Sequence, residues 1–175
     1  MTDQQHGGAE LLSASVGTWT LDPAVSTVEL HTKAMWGLAK VKATFTVLEG
    51  SGVVAADGDV SGTLVVDAAS VNTGNAKRDE HLRGSDFFEV ATYPTFTYTA
   101  TGAAHGPDGV ITFTGTLTVH GQTHPLSLTA TAAGTDRVTV TAKAEIDRSQ
   151  WGLTWAKMGA GLHNRVTVTA TFTKS

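Results

Sequence analysis

The segment ITFTGTLTV occupies residues 111–119 and alternates between threonine and apolar side chains, with Gly115 on the apolar side. Successive side chains of an extended strand point to opposite faces, so this spacing buries one face and exposes the other to water. The segments RVTVTAKAEI (137–146) and RVTVTATF (165–172) repeat the pattern. Because antiparallel sheets accommodate one buried and one solvated face, the three segments predict an antiparallel all-β protein.

Turn signals divide the rest of the chain into segments of similar length. They include Gly50-Ser51-Gly52, Asp57-Gly58 and Pro107-Asp108-Gly109, and such residues favour tight turns between strands. After a short lead-in strand at 18–22, we predict eight strands, at residues 26–36, 39–50, 58–68, 94–104, 109–120, 123–133, 136–147 and 163–174.

Two long connections, 69–93 and 148–162, interrupt this series of hairpins. The first contains NAKRDEHL (75–82), which we predict to be a short helix. Eight strands of about eleven residues are too long and twisted to lie flat, and closure removes their exposed edges. The predicted fold is therefore an eight-stranded antiparallel barrel with a short helix in the 69–93 connection.

The residues predicted to point inward decide what such a barrel does. Several are small, among them Ala43, Ala130, Ala142 and Ala170, so the interior falls short of normal packing density. An eight-stranded barrel lies at the size where side chains either fill it or leave room for one ligand. Composition does not decide between a barrel filled by its own side chains and a barrel with a ligand cavity. We favour the cavity.

Composition excludes several classes of partner and site. The net charge is −4 with no run of basic residues, which argues against nucleic acid. No apolar run approaches the roughly 20 residues of a membrane span, so we expect no stable membrane insertion. Without cysteine, disulfides and thiolate metal sites are excluded. We predict one domain at 17–175, a disordered tail at 1–16 and, since no signal peptide is visible, a cytoplasmic location.

The densest polar cluster lies in the predicted helix. Arg78, Asp79 and His81 would be the candidates for acid–base chemistry or for contact with an anionic head group. The alternative is a capping helix that only closes the barrel end, with Phe87 and Phe88 as a plug. The usual enzyme motifs are absent, so a non-catalytic protein without cofactors is favoured.

Two histidines beside a turn and a set of aromatic residues are further candidate sites. His120 and His124 flank a turn, but two histidines without further ligands make a weak zinc site, so no metal is predicted. Trp36, Trp151 and Trp155, with Met158, suit an adaptable apolar mouth of the barrel.

Three motifs resemble the YceI-like, polyisoprenoid-binding family. They are SVNTGNAKRDEHLRGSDFFEVATYP (70–94), GTLTVHGQTHPLSL (115–128) and IDRSQWGL (146–153). The resemblance implies a lipocalin-like barrel that holds an isoprenoid or related lipid in a central channel, often in a secreted or periplasmic protein. The chain departs from the family pattern at Val25 and Ala34, where histidines are usual, and in showing no signal peptide.

The resulting hypothesis is binding and carriage, or sequestration, of a long apolar lipid such as a polyisoprenoid or an isoprenoid quinone. An enzyme acting on an apolar substrate through Arg78, Asp79 and His81 is the alternative, together with a structural barrel. A homodimer stays open, although the Thr-rich outer faces offer no apolar patch. The predicted lipid-binding residues are Leu30, Trp36, Phe45, Leu64, Val66, Phe87, Phe88, Phe96, Tyr98, Phe113, Leu117, Leu128, Val140, Trp151, Trp155 and Met158.

Overall fold

The computed structural model describes residues 15–156 and 160–175 and is built almost entirely from antiparallel strands. Its one α-helix among these residues, α1, spans Ala76–Arg83, where the helix was predicted. The strands are β1 Gly17–Leu21, β2 Thr27–Ala34, β3 Ala39–Val54, β4 Val60–Asp67, β5 Thr95–His105, β6 Ile111–Val119, β7 Gln122–Pro125, β8 Leu128–Ala133, β9 Arg137–Asp147 and β10 His163–Lys174.

These strands form a closed barrel, as predicted. β10 pairs with β9 along one edge and with β2 along the other, which joins the two ends of the meander. β1 and β2 share one place in the circuit, because β1 pairs with the distal half of β3 and β2 with its proximal half. β7 and β8 likewise pair with successive parts of β6. The barrel therefore has eight strand positions, the predicted number.

Three predicted boundaries are wrong. β2 ends at Ala34 because Met35 and Trp36 adopt left-handed φ angles of 51° and 56°, which strands do not accept. β3 runs through the predicted turn at 50–52 to Val54. The predicted strand 123–133 is interrupted at residues 126–127, although Leu126 keeps the register with β6 and donates its N–H to the carbonyl of Gly115 at 3.0 Å.

Glycine allows β3 to continue where a turn was predicted. Gly52 lies between Trp19 of β1 and Gly62 of β4. A Cβ on Gly62 would lie 3.1 Å from the Cα of Gly52, and one on Gly50 would lie 3.0 Å from the side chain of Leu21. Three strands can approach here only because these side chains are missing, so the glycines serve close packing.

A hydrogen-bonded kink separates β1 from β2. Ser26 Oγ accepts from the backbone N–H of Thr171 at 3.0 Å and donates to the carbonyl of Asp22 at 2.8 Å. Both Ser26 and Thr171 are buried, with 4% and 5% exposure. The serine therefore replaces a ladder hydrogen bond at the point where the strand is interrupted.

The predicted tail, 1–16, lies outside the described residues apart from Ser15 and Val16. The carbonyl of Ser15 accepts a hydrogen bond from Trp19 Nε1 at 2.7 Å. Within 15–156 and 160–175, no helix has the length and apolarity needed to cross a membrane.

We predict that Ser26→Ala lowers the free energy of unfolding by about 1–3 kcal/mol, because the buried N–H of Thr171 loses its acceptor. Urea unfolding followed by circular dichroism measures the change. Ser127→Ala, at an exposed position, is the matched control and should change stability by less than about 0.5 kcal/mol. Equal effects of the two substitutions would contradict this role of Ser26.

Candidate functional site

Two apolar cavities follow one another inside the barrel. The helix-end cavity, of about 120 Å³, lies beside Phe88 and the 148–162 connection. The β1-end cavity, of about 180 Å³, lies beside Trp19 and the distal half of β3. Ala142 and Ala170, each 4% exposed, leave space in the wall of the β1-end cavity, whereas the buried Ala43 and Ala130 line neither cavity.

The two cavities adjoin along four shared wall residues and are together called the channel, with the shared residues as its constriction. Leu64, Tyr98, Leu128 and Val168 line both of them. An eight-stranded barrel is narrow, and a large inward side chain from each of several strands suffices to divide it. The four shared residues belong to the walls of both cavities, and they separate the two free volumes.

Tyr98 is the polar residue of this constriction. Its hydroxyl donates to the carbonyl of Leu126 at 2.8 Å, across the break between β7 and β8. Gly115 makes room for the ring, because a Cβ there would lie 2.8 Å from the Tyr98 hydroxyl. Burial raises the pKa of Tyr98 to about 12. The hydroxyl thus stays neutral and engaged with the backbone.

Most of the predicted lipid-binding residues lie in the walls of the channel. Trp151, from the connection after β9, is 2% exposed and its Nε1 donates to the carbonyl of Leu117 at 2.9 Å. The predicted residues that line one or both cavities are Leu30, Phe45, Leu64, Val66, Phe88, Phe96, Tyr98, Phe113, Leu117, Leu128, Val140 and Trp151.

The remaining predicted residues lie elsewhere. Trp36 is 78% exposed in the β2–β3 turn and lines neither cavity. Phe87 and Trp155 pack against each other with ring centroids 6.4 Å apart, outside both cavity linings. Met158 lies outside the described residues.

A cluster of four phenylalanines closes the helix end of the channel. Phe88 packs edge-to-face against Phe87 and Phe96 at centroid distances of 5.0 Å, and Phe45 joins them at 5.9 Å from Phe88. Phe87 and Phe88 follow α1 directly and are buried. The rings beyond the helix therefore form a plug whose inner surface, through Phe88, is also cavity wall.

Arg148 is a buried cation that sequence reasoning missed. Its side chain is 6% exposed, and its nitrogens donate to the carbonyls of Leu153, Ala160 and Gly161 at 2.6, 3.4 and 2.9 Å. Its guanidinium carbon lies 4.9 Å from the Phe87 ring centroid. Desolvation lowers the pKa of Arg148. The signal was present in IDRSQWGL, but the motif did not show that the arginine ties down the following connection.

The polar side chains on α1 contact the segments before and after the helix. Asp79 accepts from the backbone N–H and the hydroxyl of Thr73 at 2.9 and 2.6 Å. Arg78 Nε donates to the same hydroxyl at 2.9 Å. His81 lies 3.3 Å from Asp86 and stacks edge-to-face on Trp155. None of the three helical residues lines either cavity.

The turn histidines also have separate surroundings. His120 lies 3.5 Å from Glu89 and packs on Tyr93, whereas His124 contacts Gln122 and Trp151. They do not face each other as a pair of metal ligands. Among the described residues, no group of three or more potential metal ligands was found.

Several wall residues were not among those predicted. Leu153 reaches the helix-end cavity from a connection, where strand alternation gives no signal, whereas Leu126 lies two residues before Leu128 and was readable from the alternation. Trp19 and Ser15 border the β1-end cavity from the first described segment. Ile146 and Val168 lie on faces that alternation does place inward, so their position was readable from the sequence.

Comparison with protein families places this barrel among known folds. Residues 19–173 match the family model described as the YceI-like domain. A UPF0312 protein of Shewanella baltica strain OS155 is 32% identical over 141 residues, covering 71% of this chain and 73% of that protein. A UPF0312 protein of Vibrio vulnificus strain YJ016 is 37% identical over 71 residues, so the match spans only 38% of that relative.

Solved structures show the same architecture. BcnA of Burkholderia cenocepacia superposes with a TM-score of 0.76 at 19% identity, covering 86% of this chain and 98% of that one. A polyisoprenoid binding domain from Saccharophagus degradans, implicated in plant cell wall breakdown, superposes with a TM-score of 0.71 at 21% identity, covering 90% and 98%. At identities of 19% and 21%, these two matches establish that the chain has the same fold as the two structures.

We predict that stability falls between pH 10 and 12 because of Tyr98. The unfolded chain loses the tyrosine proton near its ordinary pKa of 10, whereas the folded chain holds it to about 12. The contribution of Tyr98 to the free energy of unfolding is therefore intact below about pH 10. The part of it that is lost approaches roughly 2 kcal/mol at pH 12. The stability difference between wild type and Tyr98→Phe, measured by urea unfolding across this range, should shrink as pH rises. A constant difference would contradict the assignment.

Proposed function

Since the chain belongs to the YceI-like domain family, whose model matches residues 19–173, we propose that it binds a long apolar lipid inside the barrel. A polyisoprenoid, an isoprenoid quinone or a similar chain is the ligand class that fits. The observation that carries the proposal is the pair of adjoining apolar cavities inside the barrel, which share Leu64, Tyr98, Leu128 and Val168 as wall residues. The Saccharophagus degradans neighbour, a polyisoprenoid binding domain, supports it.

The size of the cavities suits segments of hydrocarbon. Their volumes are about 120 and 180 Å³, and an apolar protein cavity of about 150 Å³ stays dry and takes up benzene. Each methylene-sized group transferred from water contributes about 0.8 kcal/mol. About ten buried carbons therefore contribute roughly 8 kcal/mol before ordering costs, enough for affinity near the micromolar range.

The polar groups bordering the channel favour a hydrocarbon occupant. At the helix-end cavity, three of the five N–H groups of Arg148 donate to backbone carbonyls, and the side-chain amide of Asn164 donates to the carbonyl of Leu162. The Tyr98 hydroxyl is engaged with Leu126. Because the wall supplies little to recognise a head group, affinity depends on apolar length, and the head group would remain outside the channel.

We favour binding over catalysis for the same structural reason. The residues of the enzyme hypothesis, Arg78, Asp79 and His81, line neither cavity, and their side chains contact Thr73, Asp86 and Trp155. A bound chain in the channel would therefore lie away from the acid–base groups that were considered. Carriage or sequestration is the corresponding proposed role, and the cytoplasmic location and the homodimer stay predictions.

Filling the β1-end cavity should weaken lipid binding. Ala142 is 4% exposed and lines that cavity, so Ala142→Leu occupies space that the ligand's methylenes would use. We predict at least a tenfold lower affinity, because each excluded methylene forfeits about 0.8 kcal/mol. The measurement is titration with a fluorescent prenyl lipid, preceded by organic extraction and mass spectrometry of the purified wild type.

Thr131→Leu is the matched control, since it adds the same side chain at an exposed position of β8. Its affinity should stay within about twofold of wild type. Wild-type protein that neither carries lipid nor takes up added prenyl chains would overturn the proposed function. Equal affinities of the two variants would place the ligand outside the β1-end cavity.

Substitutions on α1 should separate binding from catalysis. We predict that His81→Ala leaves lipid affinity unchanged, and that Asp79→Ala lowers the free energy of unfolding by about 2 kcal/mol because Thr73 loses a charged acceptor. Binding per folded molecule and thermal unfolding are the two measurements. Chemical conversion of an added prenyl lipid by wild type, lost in His81→Ala, would favour the enzyme instead.

A further inference from the structure

The turn between β2 and β3 exposes a group of large apolar side chains. Leu38 is 85% exposed, Trp36 78% and Met35 50%. The turn is Met35–Gly37 followed by Leu38, whose N–H donates to the carbonyl of Met35 at 3.1 Å. Clustered apolar side chains of this size on a soluble surface mark interaction sites, whereas single ones need no explanation.

Three exposed lysines flank this turn. Lys33 and Lys40 lie directly opposite each other in the β2–β3 pairing, and Lys42 lies opposite His31. Like charges in directly opposed positions destabilise a strand pair. Within the described part of the chain, no ion pair includes any of these lysines. The positive charge is therefore unbalanced locally in a chain whose net charge is −4.

The backbone of the turn is also costly. Met35 and Trp36 both have left-handed φ angles, 51° and 56°, and Gly37 follows at 89°. Two successive non-glycine residues in this region are rare because the Cβ approaches the carbonyl oxygen. The conformation leaves Trp36 out of the barrel wall, although burial of the ring would have stabilised the fold.

We propose that Met35–Leu38 together with Lys33, Lys40 and Lys42, here called the docking tip, binds reversibly to the surface of anionic lipid bilayers. Tryptophan prefers the boundary between head groups and acyl chains, and lysine is attracted to anionic lipids. Both chemistries meet at this tip. The occupant follows from charge complementarity, because a neutral bilayer would leave the opposed lysines uncompensated.

Area argues against a protein occupant. A stable protein interface buries about 800 Å² on each partner, and a four-residue turn with three apolar side chains offers only a small part of that. A bilayer needs no such matching surface, because each apolar side chain can insert into the interface independently of the others. With no membrane-spanning helix among residues 15–156 and 160–175, the contact is peripheral.

The docking tip lies at the helix end of the barrel. The N–H of Gly161 donates to the carbonyl of Lys33 at 2.7 Å, and the carbonyl of Gly161 accepts from Arg148, a wall residue of the helix-end cavity. Docking would bring this end of the channel against the bilayer. The inference does not rest on the proposed lipid cargo, because it concerns the outer surface only.

The charge component is tested by flotation with vesicles. We expect wild type to float with vesicles of equal parts phosphatidylglycerol and phosphatidylcholine at low salt, and to stay behind with phosphatidylcholine alone or at high salt. Lys40→Glu should lower the apparent affinity at least tenfold. One lysine near an anionic surface raises the affinity about fivefold, and the substitution both removes this attraction and adds a repulsion of similar size. The substitution also removes a like-charge pair, so folding is not at risk.

Lys143→Glu is the matched charge control, because Lys143 is exposed on β9, opposite Thr129 and Thr167. Its affinity should stay within about threefold of wild type. Equal losses in Lys40→Glu and Lys143→Glu would overturn the proposal, since overall charge would then explain binding. No preference of wild type for anionic vesicles would overturn it as well.

The apolar component is tested by Trp36→Ser. Brominated phospholipids in the anionic vesicles should quench part of the wild-type tryptophan emission, and the quenching should be lost in this variant. Val25→Ser, at a position 48% exposed in the β1–β2 kink, should keep it. A wild type that self-associates in sedimentation equilibrium, loses this in Trp36→Ser and ignores vesicles would overturn the proposal in favour of a second copy as occupant.

Discussion

The two-residue period of side-chain direction in a closed sheet is the constraint on which the rest of this structure depends. Closure gives every strand one inward face and leaves no choice about which residues occupy it. Where that face carries alanine, as at Ala142 and Ala170 in the β1-end cavity, no neighbouring strand can move in to fill the space, because hydrogen bonding holds strands at about 4.8 Å. The hollow interior is thus a consequence of backbone geometry and side-chain size together.

Much of this could be predicted, because alternation is a local signal. The strand faces around Phe113, Leu117 and Val140 followed from spacing alone, and so did the cavity walls they form. The continuation of β3 through Gly50–Gly52 could not be predicted, because glycine there serves the close approach of β1 and β4, which is long-range information. The end of β2 at Ala34 was missed for a related reason, since apolar side chains such as Met35 and Trp36 give the same pattern whether a strand continues or turns.

The polar residues show a different limit of sequence reasoning. Arg78, Asp79 and His81 have the residue types of a reaction centre, yet the structure employs them to hold a connection in place. Arg148 does the same for the other long connection through three backbone carbonyls. Residue type and spacing do not reveal whether a charged group faces a cavity or the backbone of a neighbouring loop. Each long connection of this barrel is held by its own buried polar residue, Asp79 for the first and Arg148 for the second, and of the two only Arg148 also lines a cavity.

The constriction at Tyr98 has a consequence for stoichiometry. A channel narrowed near its middle offers two compartments in series, and a flexible chain must thread one to reach the other. Occupancy then counts in steps, with one long molecule or two short ones per barrel. The barrel would thus discriminate between ligands by chain length. The boundary between its two compartments includes the Tyr98 ring, which a hydrogen bond to Leu126 holds in place.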